Sequence, residues 1–290
     1  MHIPRRFQLF GMAFPTYAWL TVAVLIPILI MLYFSFLSDA PLGNRDVHFT
    51  VENYTKFVSR SFYLRLTLKS IRMGVLATVG CLVIGYPVAY GLAKVVPGRW
   101  RTALFLLVII PFWSSSLIRA YSWVIVLREN GVLDHLLAAL YVSGDGLSIL
   151  FSFPAIIIGL IHAYVPYVVL TIYVSLDNID ASLLEAAQSL GANRLQTFFR
   201  VVLPLSLPGV IAGAVLTFIP ATGSFMEPRV LGGTAGTVIG TIIEDQFVSV
   251  FNWPFGAALA FVVLVISGLI LAISSRFLRM SGALSGGMEL

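Results

Sequence analysis

Few residues in this chain are placed to do chemistry at depth in an apolar environment, and Arg119 is the foremost. It is the single Asp, Glu, Lys or Arg within six stretches that are each long and apolar enough to cross a bilayer. An ionisable group at such depth marks a solute pathway, a relay or a counter-charge. Ser116, Arg119 and Trp123 follow i, i+3, i+7 spacing and share one helical face; the alternative is that Arg119 snorkels to the outer interface. Trp113, Tyr121 and Trp123 suit either an interfacial aromatic belt or a cation–π surface for an amine. Tyr164, Tyr167 and Thr171 repeat on one face of a later stretch, where they line a path or simply pack.

Catalytic and cofactor signatures are missing from the sequence. No G-x-x-x-x-G-K-[ST] run occurs, because the lysines at 56, 69 and 94 all lack a preceding glycine. The histidines at 2, 48, 135 and 162 are too scattered for a metal site. There is no G-x-S-x-G elbow, and no stretch carries the facing carboxylates of a proton relay. The lone cysteine, Cys81, excludes an internal disulfide framework and reads as a small buried hydrophobe. The chain is therefore expected to hold no catalytic residue, metal or cofactor of its own.

The elements that must position these residues are helices in a membrane. Of 290 residues 59% are hydrophobic and 11% charged, where soluble domains run near a quarter charged; mean hydropathy is +0.95. The net charge of +5 is spread singly between apolar stretches, which speaks against a nucleic-acid surface and for charges flanking membrane spans. Six segments meet the ~20-residue demand of a hydrocarbon core: 14–36, 73–93, 102–127, 147–176, 201–226 and 253–275. With no water to pair backbone groups, these must be helices. The expected fold is an all-α membrane protein of six transmembrane helices. Arg5 and Arg6, and Arg276 and Arg279, flank the outermost spans and favour a cytoplasmic side for both termini, but the basic residues split evenly and charge alone leaves orientation open.

The expected organisation is an N-terminal tail, first span and outer loop over 1–72, a core over 73–276 and a tail over 277–290. Prolines punctuate the spans, and Gly209-Val-Ile-Ala-Gly213 offers a small-xxx-small face for close helix packing. Residues 130–137 read as a short interfacial helix, and 232–252 as a re-entrant or surface helix.

The inner connection over 177–204 carries the most information. Leu183 through Leu190 is a good helix former and Gly191 a natural stop. Asn193 can cap a second turn through Leu195, Phe198 and Phe199. The result is a compact projection for something to grip, or an amphipathic loop lying on the membrane.

Glu185-Ala186-Ala187, then Gly191, then Leu203-Pro204 twelve residues after that glycine resemble the EAA loop of ABC-importer permeases, with Val201 standing where isoleucine is usual. The run from Ile110 to Trp123, Asn130-Gly131-Val132-Leu133, Val230-Leu231-Gly232-Gly233 and Asn252-Trp253-Pro254-Phe255-Gly256 are similar to the spermidine/putrescine permeases, over most of residues 70–275.

This resemblance implies a type I importer fold in a bacterial inner membrane with cytoplasmic termini. It also implies a second permease subunit, two ATPase subunits that bind ATP and Mg, and a soluble substrate-binding protein. In that reading Glu185, Ala186, Ala187, Leu190, Gly191, Leu195, Phe198, Phe199, Leu203 and Pro204 couple to the ATPase. Trp113, Ser116, Arg119, Tyr121, Trp123, Tyr164, Tyr167, Thr222, Glu227, Arg229, Asp245 and Trp253 border the pathway. Pro220 through Glu227 would form the upper gate, with Glu227, Glu244 and Asp245 making the outer mouth acidic. Arg229 stands where polyamine permeases usually carry an acid, so an opine, γ-aminobutyrate or another small charged solute is the competing cargo. A self-contained secondary transporter or channel is the competing class, and it lacks a visible coupling-ion site.

Overall fold

A computed structural model describes residues 5–40, 46–139 and 149–285. Their regular structure is helical, apart from an isolated antiparallel bridge between Leu37 and Phe49. In chain order the helices are α1 (Arg5–Ser35), α2 (Glu52–Ser59), α3 (Ser61–Tyr90), α4 (Gly98–Ile109), α5 (Ser116–Leu127), α6 (Val132–Ala139) and α7 (Phe153–Asp177), then α8 (Ala181–Ser189), α9 (Arg194–Thr197), α10 (Leu203–Gly223), α11 (Met226–Leu231), α12 (Ile239–Val248) and α13 (Trp253–Ser285). Among the described residues five helices are long and apolar enough to span a membrane, and six if one bent pair counts as a single span.

That bent pair corrects the expected continuous span over 102–127. The segments 98–113 and 116–135 meet at 96°. Pro111 has no N–H to donate and sits in a tight 3-10 turn, Ile110–Trp113. Ser114 follows in an extended conformation (ψ 147°), and so does Ser115 (ψ 141°), which caps α5. Hydropathy could not reveal the break, since proline and serine are nearly neutral on such a scale. Elsewhere prolines stay within their helices: Pro87 in α3, Pro166 in α7, Pro208 and Pro220 in α10.

The chain divides into two compact units. One comprises 1–64 with 242–268 and the other 65–241 with 269–290. These ranges differ from the expected boundaries at 72 and 276, both of which fall within helices, α3 and α13. Leu147 and Ser148, expected to open the fourth span, lie outside the described residues, and α7 starts at Phe153. The last five residues of the expected tail also lie outside them.

In the first unit the end of α1 is held by α2. The Asn53 amide donates to the carbonyls of Ser35 (3.1 Å) and Leu37 (2.9 Å), satisfying groups that a helix end leaves open. Phe255 packs edge-on against Tyr63, centroids 5.1 Å apart, and Lys56 sits 4.4 Å above its ring.

The second unit is built on α3, α7 and α10. Cys81, Ala89, Val168, Val169, Ile172, Leu176 and Val202 form a buried cluster, and Met73, Ala77, Ile156, Leu160, Ala221 and Val238 a second. Cys81 is fully enclosed, as its apolar surroundings in the sequence suggested. The expected small-residue face is where α10 meets α7. A Cβ at Gly209 would stand 2.5 Å from the Thr171 carbonyl, and one at Gly213 2.7 Å from Thr171 Oγ1. Only glycine permits that backbone approach.

Candidate coupling elbow and pathway residues

The elbow over 181–204 is stiffened from both sides of its turn. Asp180 caps α8, its carboxylate accepting the Ser182 N–H at 2.9 Å. That backbone hydrogen bond, helped by the Ser182 side chain, holds the Asp180 carboxyl below the usual aspartate range. At the other end Gly191 N–H reaches the Gln188 carbonyl (2.9 Å) and Ala192 N–H the Ala187 carbonyl (3.0 Å), a Schellman closure. Gly191 takes φ +83°, a left-handed conformation that side chains disfavour, with open space where a Cβ would point. Asn193 then starts α9 with a full capping box: its side chain accepts from Gln196 N–H (2.8 Å) while Gln196 Oε1 accepts from Asn193 N–H (2.9 Å).

Three residues not singled out from the sequence brace the root of this elbow. Arg101 pairs with Asp177 at 3.0 Å and donates to the Ala93 carbonyl at 3.1 Å. Lys94 donates to the Ile179 carbonyl at 3.0 Å. These partners lie far apart in the chain, so no local pattern announced them. A lysine or arginine beside an inner helix end is the signal that was available.

The apolar residues of the elbow sort into two sets. Leu190 is 89% exposed, Leu195 69% and Phe199 60%, so three large apolar side chains stand outward on an ordered, capped element. Phe198 turns the other way, edge-on to Tyr86 (5.8 Å) and Tyr90 (5.7 Å). It anchors the elbow to α3 and is half-buried there. Glu185, Ala186 and Pro204 are exposed, while Ala187 and Leu203 are half-buried.

Within the second unit the expected pathway residues fall into separate groups. Arg119 donates to the carbonyls of Ser114 (2.7 Å) and Pro111 (3.2 Å) and lies 5.9 Å from the Phe112 ring centroid. Its guanidinium thus serves the carbonyls stranded where α4 ends. Trp123 stands edge-on to His162 at 5.5 Å, and these two with Arg119, Ser114 and Ser122 line a recess of about 220 Å³ that excludes Ser116. Trp113, 88% exposed, borders a second recess of about 300 Å³ with Phe112 and Tyr167, whose rings meet edge-on at 4.6 Å. Tyr121 is exposed. Tyr164 is half-buried against the α3–α7 core, and Thr171 faces Gly213.

The gate region holds two corrections. Thr222 is 1% exposed and donates to the Phe218 carbonyl at 2.8 Å, so it packs instead of facing a path. Glu227 is 6% exposed and accepts from the Ser224 hydroxyl, so it contributes nothing to an acidic outer mouth. Its burial follows from α11 folding back onto α7, where the Glu227 side chain comes beside Gly159. Arg229 is exposed. Asp245 and Trp253 belong to the first unit, in which Trp253 donates to the Phe247 carbonyl at 3.3 Å.

Comparison with known proteins accounts for this architecture. Residues 81–279 match the family described as binding-protein-dependent transport system inner membrane component. The chain is 40% identical to the Escherichia coli (strain K12) spermidine/putrescine transport system permease protein PotB, over 90% of this chain and 94% of that one. It is 38% identical to the Haemophilus influenzae protein of the same name, over 90% of each. In fold it is similar to a chain of the bacterial alginate ABC transporter solved with an alginate pentasaccharide-bound periplasmic protein (TM-score 0.77, 19% identity, 95% of each chain). It also resembles a chain of the MetNI methionine ABC transporter (TM-score 0.56, 21% identity, 75% of this chain and 94% of that one). With its helical bundle and matching sequence along most of its length, the chain belongs to the family of inner-membrane permease components of binding-protein-dependent transport systems.

Proposed function

We propose that this chain forms one half of the translocation pathway of an ATP-driven polyamine importer and receives its stroke through the 181–204 elbow. The observation that carries the coupling assignment is the exposed triad Leu190, Leu195 and Phe199 on an elbow whose α8 is closed at both ends and whose α9 starts in a capping box. A lever must hold its shape under load, and a helix with satisfied ends does so better than a frayed one. The triad enters a groove of an ATPase subunit, Glu185 meets a basic residue there, and nucleotide-driven closure of two such subunits displaces the elbow. ATP and Mg reside in those subunits, and this chain contributes no catalytic group. Lys94, Arg101 and Phe198 pass the displacement to α3 and α7. Differential contact in the two states supplies the bias between them.

The remaining partners are a second, homologous permease subunit and a soluble receptor on the opposite face, with both termini cytoplasmic. Polyamine cargo is supported by the 40% identity to the PotB protein. Arg119 is held against two backbone carbonyls at the break in its span, so a structural duty accounts for its presence without a contact to cargo. Trp113 and Tyr167 supply aromatic faces for ammonium groups. The test is uptake of labelled spermidine and putrescine into proteoliposomes holding the full complex with its receptor, against γ-aminobutyrate and an opine. ATP-dependent polyamine accumulation is expected; accumulation of the zwitterions alone would reassign the cargo, and uptake without ATP would reject the class.

A further inference from the structure

α3 is longer than a bilayer requires. With the turn that follows it, the helical run covers Ser61–Val95, 35 residues, or about 52 Å at 1.5 Å per residue. A hydrocarbon core of ~30 Å is already filled by the uncharged stretch 73–93. The N-terminal part of α3 therefore projects past the hydrocarbon. Arg72 stands at the boundary, Lys69 one turn beyond it and Arg65 a further turn.

Their spacing, with Leu68, puts all four on one helical face. Together with Phe153 they line a hollow of about 460 Å³. The Arg72 guanidinium lies 5.6 Å above the Phe153 ring, and Leu68 is 67% exposed. Among the described residues neither Arg65 nor Arg72 has a carboxylate partner. Lys69 spends two N–H groups on the carbonyls of Ala235 (2.6 Å) and Thr237 (3.0 Å), and the neighbouring Ser70 hydroxyl accepts the Ile239 N–H at 3.0 Å. This stretch of α3 thus secures the segment between α11 and α12.

Three cations above an apolar floor, without an acid, are the wrong lining for a polyamine. They are the right lining for a group with phosphate at one end and hydrocarbon at the other. We propose that this hollow binds an anionic phospholipid, its phosphate among Arg65, Lys69 and Arg72 where the hydrocarbon ends and an acyl chain along Leu68 and Phe153. The bound phosphate takes the third Lys69 N–H and so ties the surrounding lipid to the segment leading into α12. The assignment does not depend on the cargo or on which leaflet is involved.

The experiment uses the full chain, purified with its co-expressed partner subunits, in nanodiscs of phosphatidylcholine with or without phosphatidylglycerol. Retained lipid is counted by native mass spectrometry. Wild type is expected to keep phosphatidylglycerol in preference to phosphatidylcholine. The double variant Arg65→Gln, Arg72→Gln should lose that preference by on the order of twenty-five-fold, since each basic group near an anionic surface is worth about five-fold. Arg65→Lys with Arg72→Lys should keep most of it, which separates loss of the site from loss of the fold. Equal retention by wild type and the glutamine pair overturns the proposal. Displacement of the lipid by inorganic phosphate also overturns it, assigning the hollow to a free anion. So does a loss of soluble-receptor binding by the glutamine pair in pure phosphatidylcholine, which would give the cations to an acidic protein surface.

Discussion

The elbow at Gly191 and the break at Pro111–Ser115 are both interruptions of helix, solved in opposite ways. At Gly191 the helix ends are closed by neighbours a few residues away, through the Schellman pair of hydrogen bonds and the capping box. Apolar side chains are left facing outward. At the break in the third span, Ser114 Oγ meets the Pro111 carbonyl locally, but the remaining capacity of that carbonyl and of Ser114 is met by Arg119. Aromatic rings close the site around it. Water can cap whatever an exposed turn leaves open; lipid cannot, so a break at membrane depth needs a long charged donor. A turn in water can leave its side chains free for a partner, whereas the break in the span commits its one charge to its own backbone.

Removing Arg119 should break this comparison most severely. Arg119→Met leaves the Ser114 carbonyl without its donor and the Pro111 carbonyl with Ser114 alone, and is expected to destabilise the purified protein by about 2 kcal/mol, with Arg119→Lys recovering part, read by denaturant unfolding in detergent. Full stability with abolished transport would instead make Arg119 a cargo contact. Next comes the double change Leu190→Ser, Phe199→Ser. It should leave stability unaltered but weaken association with the ATPase by about 2 kcal/mol, on the order of thirty-fold in Kd. A matching loss of stability would mean that these side chains pack within this chain.

A sharper probe of the elbow is backbone conformation alone. Gly191→Val should cost about 1–2 kcal/mol of elbow order, whereas Gly191→Asn, which tolerates a left-handed φ, should be close to neutral, as judged by hydrogen exchange of the Leu183 and Leu184 amides. Equal effects would point to crowding by a partner, since nothing in this chain fills the space at that Cβ. The smallest effect is that of pH on Asp180. Its carboxyl is held below the usual value, so its stabilisation of α8 is fully present above the ordinary aspartate pKa of about 4. That contribution fades as pH falls through the depressed value. Amide exchange at Ser182 followed down in pH should quicken only in that acidic window, and Asp180→Ala should remove the dependence.

Much of the elbow was legible before any coordinates, because its determinants are local. Helix formers, a stop glycine and an Asn at capping distance from Gln196 carry their meaning within a few residues. The division of its apolar set was not legible. Phe198 and Phe199 are adjacent and chemically identical, and only the packing of Tyr86 and Tyr90 decides that one is an anchor within the chain and the other faces outward. The pathway residues were the least legible. Thr222 and Glu227 sit in a stretch where the family resemblance implied a gate, yet a hydroxyl that bonds its own preceding turn and a carboxylate that takes a serine hydroxyl both pack inside.

By itself the sequence determined a helical membrane bundle, its apolar stretches, the capped elbow and the family it belongs to. Each of these rests on composition, or on contacts within one or two helical turns that any short stretch of chain can specify. The tertiary structure alone decided that the third apolar stretch bends by 96°, that Arg119 serves a helix end, that Asp177 and Arg101 brace the elbow across 76 residues and that Glu227 is buried. The brace and the burial of Glu227 depend on which distant segments meet, and the bend and the Arg119 contacts on backbone geometry, neither of which a linear pattern of apolar residues encodes.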